Sequence, residues 1–417
     1  MDLTIINIAS LVQCEQIPRI WVAGSEMAKL PVINNAFLES ENGIITGFGE
    51  MKNYKGNAMS DSVIDASGKM VFPSFCDSHT HLVYSGSREF EYTDKIRGLS
   101  YEEIALRGGG ILNSCKTLRE TPEDELFAQS MTRVNEIIGF GTGAVEIKSG
   151  YGLDVESEIK MLRVIKRIAS ESPLEVRATF MGAHAIPAEY KNDRQGYIGL
   201  IINEMIPVIA SEELADFIDV FCDLGFFTLH ETEQILMAGM KYGLRPKLHA
   251  NELGYSGGIQ TGVRYNALSV DHLEYTGDDE IKALLGSETM PTLLPGAAFF
   301  LGLIDPPARR MINAGLPVAL ASDYNPGSSP QGNMKLIMSL GCIRLRMLPE
   351  EVINAVTINS AYAMGISETH GSIAKGKVAN YFITKKIPSY EFMPYAYGSN
   401  LIETVILKGN IIKETTI

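Results

Sequence analysis

The chain has 417 residues, more than one ordinary domain of ~100–200 residues but within reach of a single barrel with a satellite. Apolar residues make up 45% and charged residues 21%, which excludes a disordered chain. With 36 Lys and Arg against 50 Asp and Glu the formal charge is −14, a surface that repels phosphate backbones, so nucleic acid is not an expected partner.

Apolar runs such as AAFFLGLI stop far short of the ~20 residues of a membrane helix, so no membrane partner is expected. The first residues, MDLTIINIAS, lack the basic region of a secretory signal. Five cysteines (Cys14, Cys76, Cys115, Cys222, Cys342) are scattered and form no C-x-x-C pair, the usage of a reducing compartment. The expectation is a cytoplasmic enzyme.

In chain order, LTIINIASLV, IWVAGSEMAKLPVINNAFLESENGIITGFG and SVIDASGKMVFP read as strands and hairpins, rich in Val, Ile and Thr between Asn, Gly and Ser. From about Val71 the rhythm changes. FCDSHTHLV, TGAVEIK, EVRATFMGAH, FIDVFCD, PKLHANE, ALSVDHLE, TMPTLLPG and PVALASD are eight short apolar runs, and helical patterns such as VESEIKMLRVIKRIASES and HETEQILMAGMKYG lie between them. Eight such units predict an α/β fold, a (β/α)₈ TIM barrel of ~250 residues. A doubly wound sheet would want a nucleotide loop after its first strand, and none follows. After the helical EEVINAVTINSAYAMGI, GSIAKGKVANYFITKK and NLIETVILKGNIIKETTI are β-rich again. The expected organisation is one composite β-domain built from residues 1–70 and 369–417, flanking a barrel over 71–368.

His79 and His81, two apart on a strand, point to one face. H-x-H alone is weak, but His184, His249 and His272 also end predicted strands, so five of the seven histidines gather where barrel active sites form. Asp323 ends PVALASD in the same way. His230, at a helix start, and His370, in the loop THGS, read as solvated surface residues. Three imidazoles and a carboxylate drawn from distant strands, with no cysteine, suit a catalytic zinc, iron or other borderline divalent ion that activates water. Asp323 can both ligate and accept a proton. Glu252, three residues after His249, is an acid/base candidate. The triplet GGG at 108–110 lacks a nucleotide-binding context and reads as a tight loop near the site. Cys222 reads as a buried structural thiol.

This order of residues resembles the amidohydrolase superfamily over essentially the whole chain. The resemblance implies His79, His81, His249 and Asp323 as metal ligands, with His272 orienting the attacking water. Two-metal members use a Lys or Glu from the fourth strand, and FIDVFCD holds neither, which points to one ion. The blocks DSHTHLVYSGSREFE, GGGI, EIKSGYGL, TFMGAHAIPAEY, KLHANEL, LLPGAAFFLG and ASDYNPGSSP are similar to those of the imidazolonepropionase family. That implies metal-dependent opening of 4-imidazolone-5-propanoate to N-formimidoyl-L-glutamate, the third step of histidine degradation. Arg88 is then the partner of the substrate carboxylate, although an ion pair with Glu89 or Glu91 is its plain alternative. Tyr151 and His184 are implied at the ring or carbonyl, Glu252 at the substrate, and Asn325, Gly327 and Ser328 in a binding loop. Glu252, His272 and Asp323 would share the proton traffic. Asn380 stands where relatives commonly have Asp, away from the chemistry. A cytosine- or guanine-type aminohydrolase is the alternative activity, and a homodimer is the expected assembly.

Overall fold

The computed structural model describes residues 2–56, 62–99 and 109–414. Two sheets organise it. The first is mixed and comes from both chain ends: β1 (Leu3–Val12), β2 (Val32–Glu41), β3 (Ile44–Glu50), β4 (Ser62–Asp65) and β5 (Met70–Pro73) join three later strands. The second holds eight parallel strands: β6 (Phe75–Thr80), β7 (Thr142–Lys148), β8 (Glu175–Ala183), β9 (Phe217–Cys222), β10 (Arg245–Ala250), β11 (Ser269–His272), β12 (Met290–Leu293) and β13 (Ala319–Leu320). Strands β14 (Tyr381–Thr384), β15 (Ile402–Leu407) and β16 (Asn410–Glu414) then return to the first sheet, where β14 pairs antiparallel with β5.

Barrel strands follow one another in spatial order from β6 to β13. The ring closes just past β13, where Thr80 bridges Tyr324, the His81 N–H donates to the Tyr324 carbonyl at 3.0 Å, and the Asp323 N–H donates to the His79 carbonyl at 3.0 Å. Closure therefore sets Asp323 beside the H-x-H pair. The eight predicted runs are the eight strands. They carry apolar residues on both faces because helices cover the outside and side chains fill the inside. The predicted helices form over Val155–Glu171, where the Asp154 side chain accepts from the Ser157 N–H at 2.7 Å, and over Leu229–Lys241, opened by a Thr228–Glu231 capping box.

The chain ends share one core, with Leu3, Ile5, Ile8 and Leu11 of β1 packed with Tyr381, Ile383 and Ile406. Asn380 is structural, joining the two sheets: its amide donates to the Gly143 carbonyl at 3.3 Å and its oxygen accepts the Lys408 N–H at 2.7 Å. Two expectations change. IWVAG is not a strand; Gly24–Ala28 is a 3₁₀ turn with Val22 and Met27 buried against the barrel. Asn359 exchanges two hydrogen bonds with Val22, and Asn354 donates to the Met27 carbonyl at 2.8 Å, so barrel side chains satisfy this backbone instead of a strand partner. His370 is buried, not solvated. The wholly buried Lys377 draws its loop inward by donating to the carbonyls of Ser367 (2.7 Å) and His370 (2.9 Å). His230 is exposed, as expected. Among the described residues no helix is long and apolar enough to cross a membrane.

Candidate active site

At the carboxyl ends of the barrel strands a cavity of 760 Å³ opens, its apolar outer wall formed by Phe299, Phe300 and Leu303. Every predicted substrate residue lines it: Arg88, Tyr151, His184, Glu252, Asn325, Gly327 and Ser328. His81, His249, His272 and Asp323 lie at its floor, with His79 buried directly beneath.

Acceptors below the floor orient three imidazoles. The Asp271 carboxylate takes the Nδ1 of His79 at 2.7 Å, the Ser149 carbonyl that of His81 at 3.3 Å, and the Asp219 carboxylate that of His249 at 3.1 Å. With Nδ1 engaged as donor, each Nε2 lone pair is free. Nε2 of His81 and His249 are 3.4 Å apart, and Asp323 Oδ1 lies 3.5 Å from His79 Nε2 and 4.0 Å from His81 Nε2. His79 Nε2 is buried without a hydrogen-bond partner among the described residues. Burial, reinforced by neighbouring cations and imidazoles, holds the His79, His81 and His272 pKa values well below the ordinary histidine range, and that of His184 falls to about 3 for the same first reason. Imidazole nitrogens converging beside a carboxylate are the donor chemistry of a divalent transition-metal site. The residues present fit such an ion.

Around this floor, backbone strain concentrates. Asp323 (φ 52°), His272 (φ 83°) and Leu273 (φ 70°) adopt left-handed conformations that cost non-glycine residues free energy and aim their neighbours at the cavity. Asn325 shapes the binding loop: its side-chain oxygen accepts the N–H groups of Gly327 and Ser328, both at 2.8 Å. The Ser328 hydroxyl donates to Asp323 Oδ2 at 3.1 Å, leaving Oδ1 toward the histidines. Asp223 accepts the N–H of Glu252 at 2.6 Å and fixes the turn that brings Glu252 over the floor. Burial first, then the charges of Asp323 and Asp223, pushes the Glu252 carboxyl up to about 8; its Oε2 is 3.7 Å from His272 Nδ1. Burial also raises Asp323, to about 6, against the opposing pull of His249.

Arg88 makes the ion pair with Glu91 and also faces the cavity. Its Nε and Nη2 donate to Glu91 Oε2 at 2.9 and 2.6 Å. Gly110 is held by Glu91, so this member of the glycine triplet lies near the site; the first, Gly108, is outside the described residues. Cys222 is buried and its thiol pushed up to about 11 by burial, which suits a structural role.

Some functional neighbours escaped sequence reading. Lys148 Nζ donates to Asp219 at 2.8 Å and Glu146 at 2.6 Å and lies 3.6 Å from Asp271, while Lys247 pairs with Glu146. Burial opposes the Lys148 charge, but Asp219, Glu146 and Asp271 outweigh it and hold its pKa above the usual lysine value. The available signal was charge inside apolar strands, in AVEIK, FIDVF, PKLH and SVDH. Glu274, two residues past His272, was also missed; it is buried, its oxygens have no hydrogen-bond partner among the described residues, and Oε1 is 3.9 Å from His272 Nδ1.

Comparison with known proteins decides the family. The chain is 56% identical over 406 residues, 97% of its own length and 98% of the relative's, to an imidazolonepropionase of Flavobacterium johnsoniae. The chain belongs to the imidazolonepropionase family. It is also 54% identical to an imidazolonepropionase of Christiangramia forsetii, covering 99% of this chain and all of that one. Residues 231–412 match the Amidohydrolase family profile. Like the imidazolonepropionases it aligns with, the chain is a hydrolase of amidohydrolase fold. A crystal structure of 5-methylcytosine deaminase from Klebsiella pneumoniae superposes with a TM-score of 0.74 over 99% of this chain and 98% of that one, at 18% identity, a likeness of fold alone.

Proposed function

We propose that this chain hydrolyses the ring C–N bond of 4-imidazolone-5-propanoate to give N-formimidoyl-L-glutamate. The observation that carries this reading is the convergence of three imidazole Nε2 atoms and Asp323 Oδ1 beneath a cavity that also presents Arg88. His79, His81, His249 and Asp323 would hold one divalent ion, zinc or iron. Such an ion, when bound, supplies Lewis-acid polarisation of the carbonyl and lowers the pKa of water.

Arg88 holds the substrate carboxylate through charge-assisted hydrogen bonds, which places the ring over the floor. His184 and Tyr151 flank the ring; His184 donates through Nδ1 to the Gly150 carbonyl at 3.0 Å, so its Nε2 is turned away from that backbone contact. Asn325, Gly327 and Ser328 also line the substrate subsite. Asp323 accepts the proton of the attacking water, and His272 orients that water. Glu252, whose carboxyl is raised toward neutral pH, relays the proton to the departing ring nitrogen.

The cytosine- or guanine-type alternative is not favoured. Near-full-length relatives above 50% identity are imidazolonepropionases, whereas the deaminase shares only the fold. Product analysis tests the reading. Metal-loaded protein should yield N-formimidoyl-L-glutamate without releasing ammonia; release of ammonia would favour an aminohydrolase.

A further inference from the structure

Arg88 is held on two sides in a manner that the reaction chemistry alone does not require. Its Nε and Nη2 both donate to one oxygen of Glu91 (2.9 and 2.6 Å), and Glu91 is buried in the first turn of the helix Glu89–Ile96. The other Glu91 oxygen accepts the Gly110 N–H at 2.9 Å. Gly110 has φ 86°, which only glycine adopts cheaply, and it opens the helix Ile111–Glu120. Glu91 is thus fixed at both ends. On the opposite side the guanidinium lies against Gly327: a Cβ there would collide with Nη1 and come within 2.8 Å of Cζ. Asn325 holds the Gly327 backbone in place through its 2.8 Å hydrogen bond. Among the described residues, Nη1 donates to nothing.

We infer that Glu91 and Gly327 are positioning residues that orient Arg88, turning its Nη1–Nη2 edge into the cavity as the specificity element for a carboxylate. Glu91 occupies the Nε side, so the remaining fork meets the ligand, and Gly327 leaves the room that lets the fork lie flat. A guanidinium clamped in this way loses little conformational entropy on binding an anion and cannot swing out to serve a neutral side chain. This inference rests on the proposed role of Arg88 toward the substrate carboxylate.

The test compares 4-imidazolone-5-propanoate with its carboxamide analogue in wild type, Arg88→Ala, Glu91→Gln and Gly327→Ala, reading kcat and KM separately along with metal content. Glu91→Gln keeps an acceptor for Gly110 but cannot take the guanidinium charge. It should raise KM for the acid about 10- to 100-fold, with a much smaller change in kcat and full metal content, and shrink the preference for acid over amide. Gly327→Ala should shrink that preference by displacing the fork, so the inference survives even if Glu91→Gln fails to fold. If Arg88→Ala abolishes the preference while Glu91→Gln and Gly327→Ala keep the wild-type KM, the positioning role is wrong although Arg88 still binds the carboxylate. If Arg88→Ala itself keeps the preference, the underlying role of Arg88 is overturned.

Discussion

Asp271 lies under His79, its Oδ2 2.7 Å from the imidazole Nδ1, and both side chains are completely buried. This contact fixes the tautomer that turns Nε2 toward Asp323, and it raises the basicity of the ring. Asp271→Asn keeps the shape but removes the charge, and an amide can present its NH₂ group to Nδ1 instead of accepting from it. Divalent metal affinity should fall about 10- to 100-fold, measured by competition with a chromogenic chelator. Unchanged affinity would show that ring orientation comes from packing alone.

Asp323 presents its carboxylate, the proposed fourth ligand, from a left-handed backbone at φ 52°. Asn tolerates that conformation, so Asp323→Asn should weaken metal binding and activity while leaving the melting temperature of the metal-free protein near wild type. Asp323→Ala should lose the same functions and about 1 kcal/mol of stability besides, seen in denaturant unfolding.

Glu252 sits three residues beyond His249 and is not required to complete four ligands. Glu252→Gln should retain the metal and near-normal KM while kcat drops about 10²–10⁴-fold. His272→Asn should behave similarly, and the double variant should lose less than the product of the two, because both serve one proton path. Loss of metal in Glu252→Gln would make Glu252 a ligand instead.

The barrel was legible because each strand is a short apolar run ending in a polar residue, as in RATFMGAH and ALSVDHLE. The clustering of His79, His81 and His249 was legible for the same reason: strand ends converge, so residues far apart in sequence meet at one rim. Lys148, Asp219 and Asp271 were not, since a single charge within a strand does not reveal which partner the barrel interior will supply. IWVAG failed for a related reason. Its apolar residues satisfied the strand pattern, but Asn359, which captures the Val22 backbone, lies 337 residues away. His370 was misjudged because Lys377, which pulls the loop inward, resembles any surface lysine in sequence.

His370 predicts a pH effect remote from the metal. Burial, with Lys377, Arg177 and Lys408 nearby, lowers its pKa from 6.5 to about 4. The unfolded chain therefore binds a proton near pH 6.5 that the folded chain refuses until about pH 4. Stability from this group is intact above pH 6.5 and declines as pH falls toward 4, by at most about 3 kcal/mol. Urea unfolding of metal-free protein at several pH values should show His370→Gln flattening this decline, whereas an identical slope in both proteins would place the linkage elsewhere.

The most direct measurement is a titration of metal-free protein with zinc or iron(II) while the ultraviolet absorbance of 4-imidazolone-5-propanoate is followed. Activity should rise linearly and break at one ion per chain, as expected for the single set His79, His81, His249 and Asp323. A break at two ions per chain, or full activity without metal, would contradict the account.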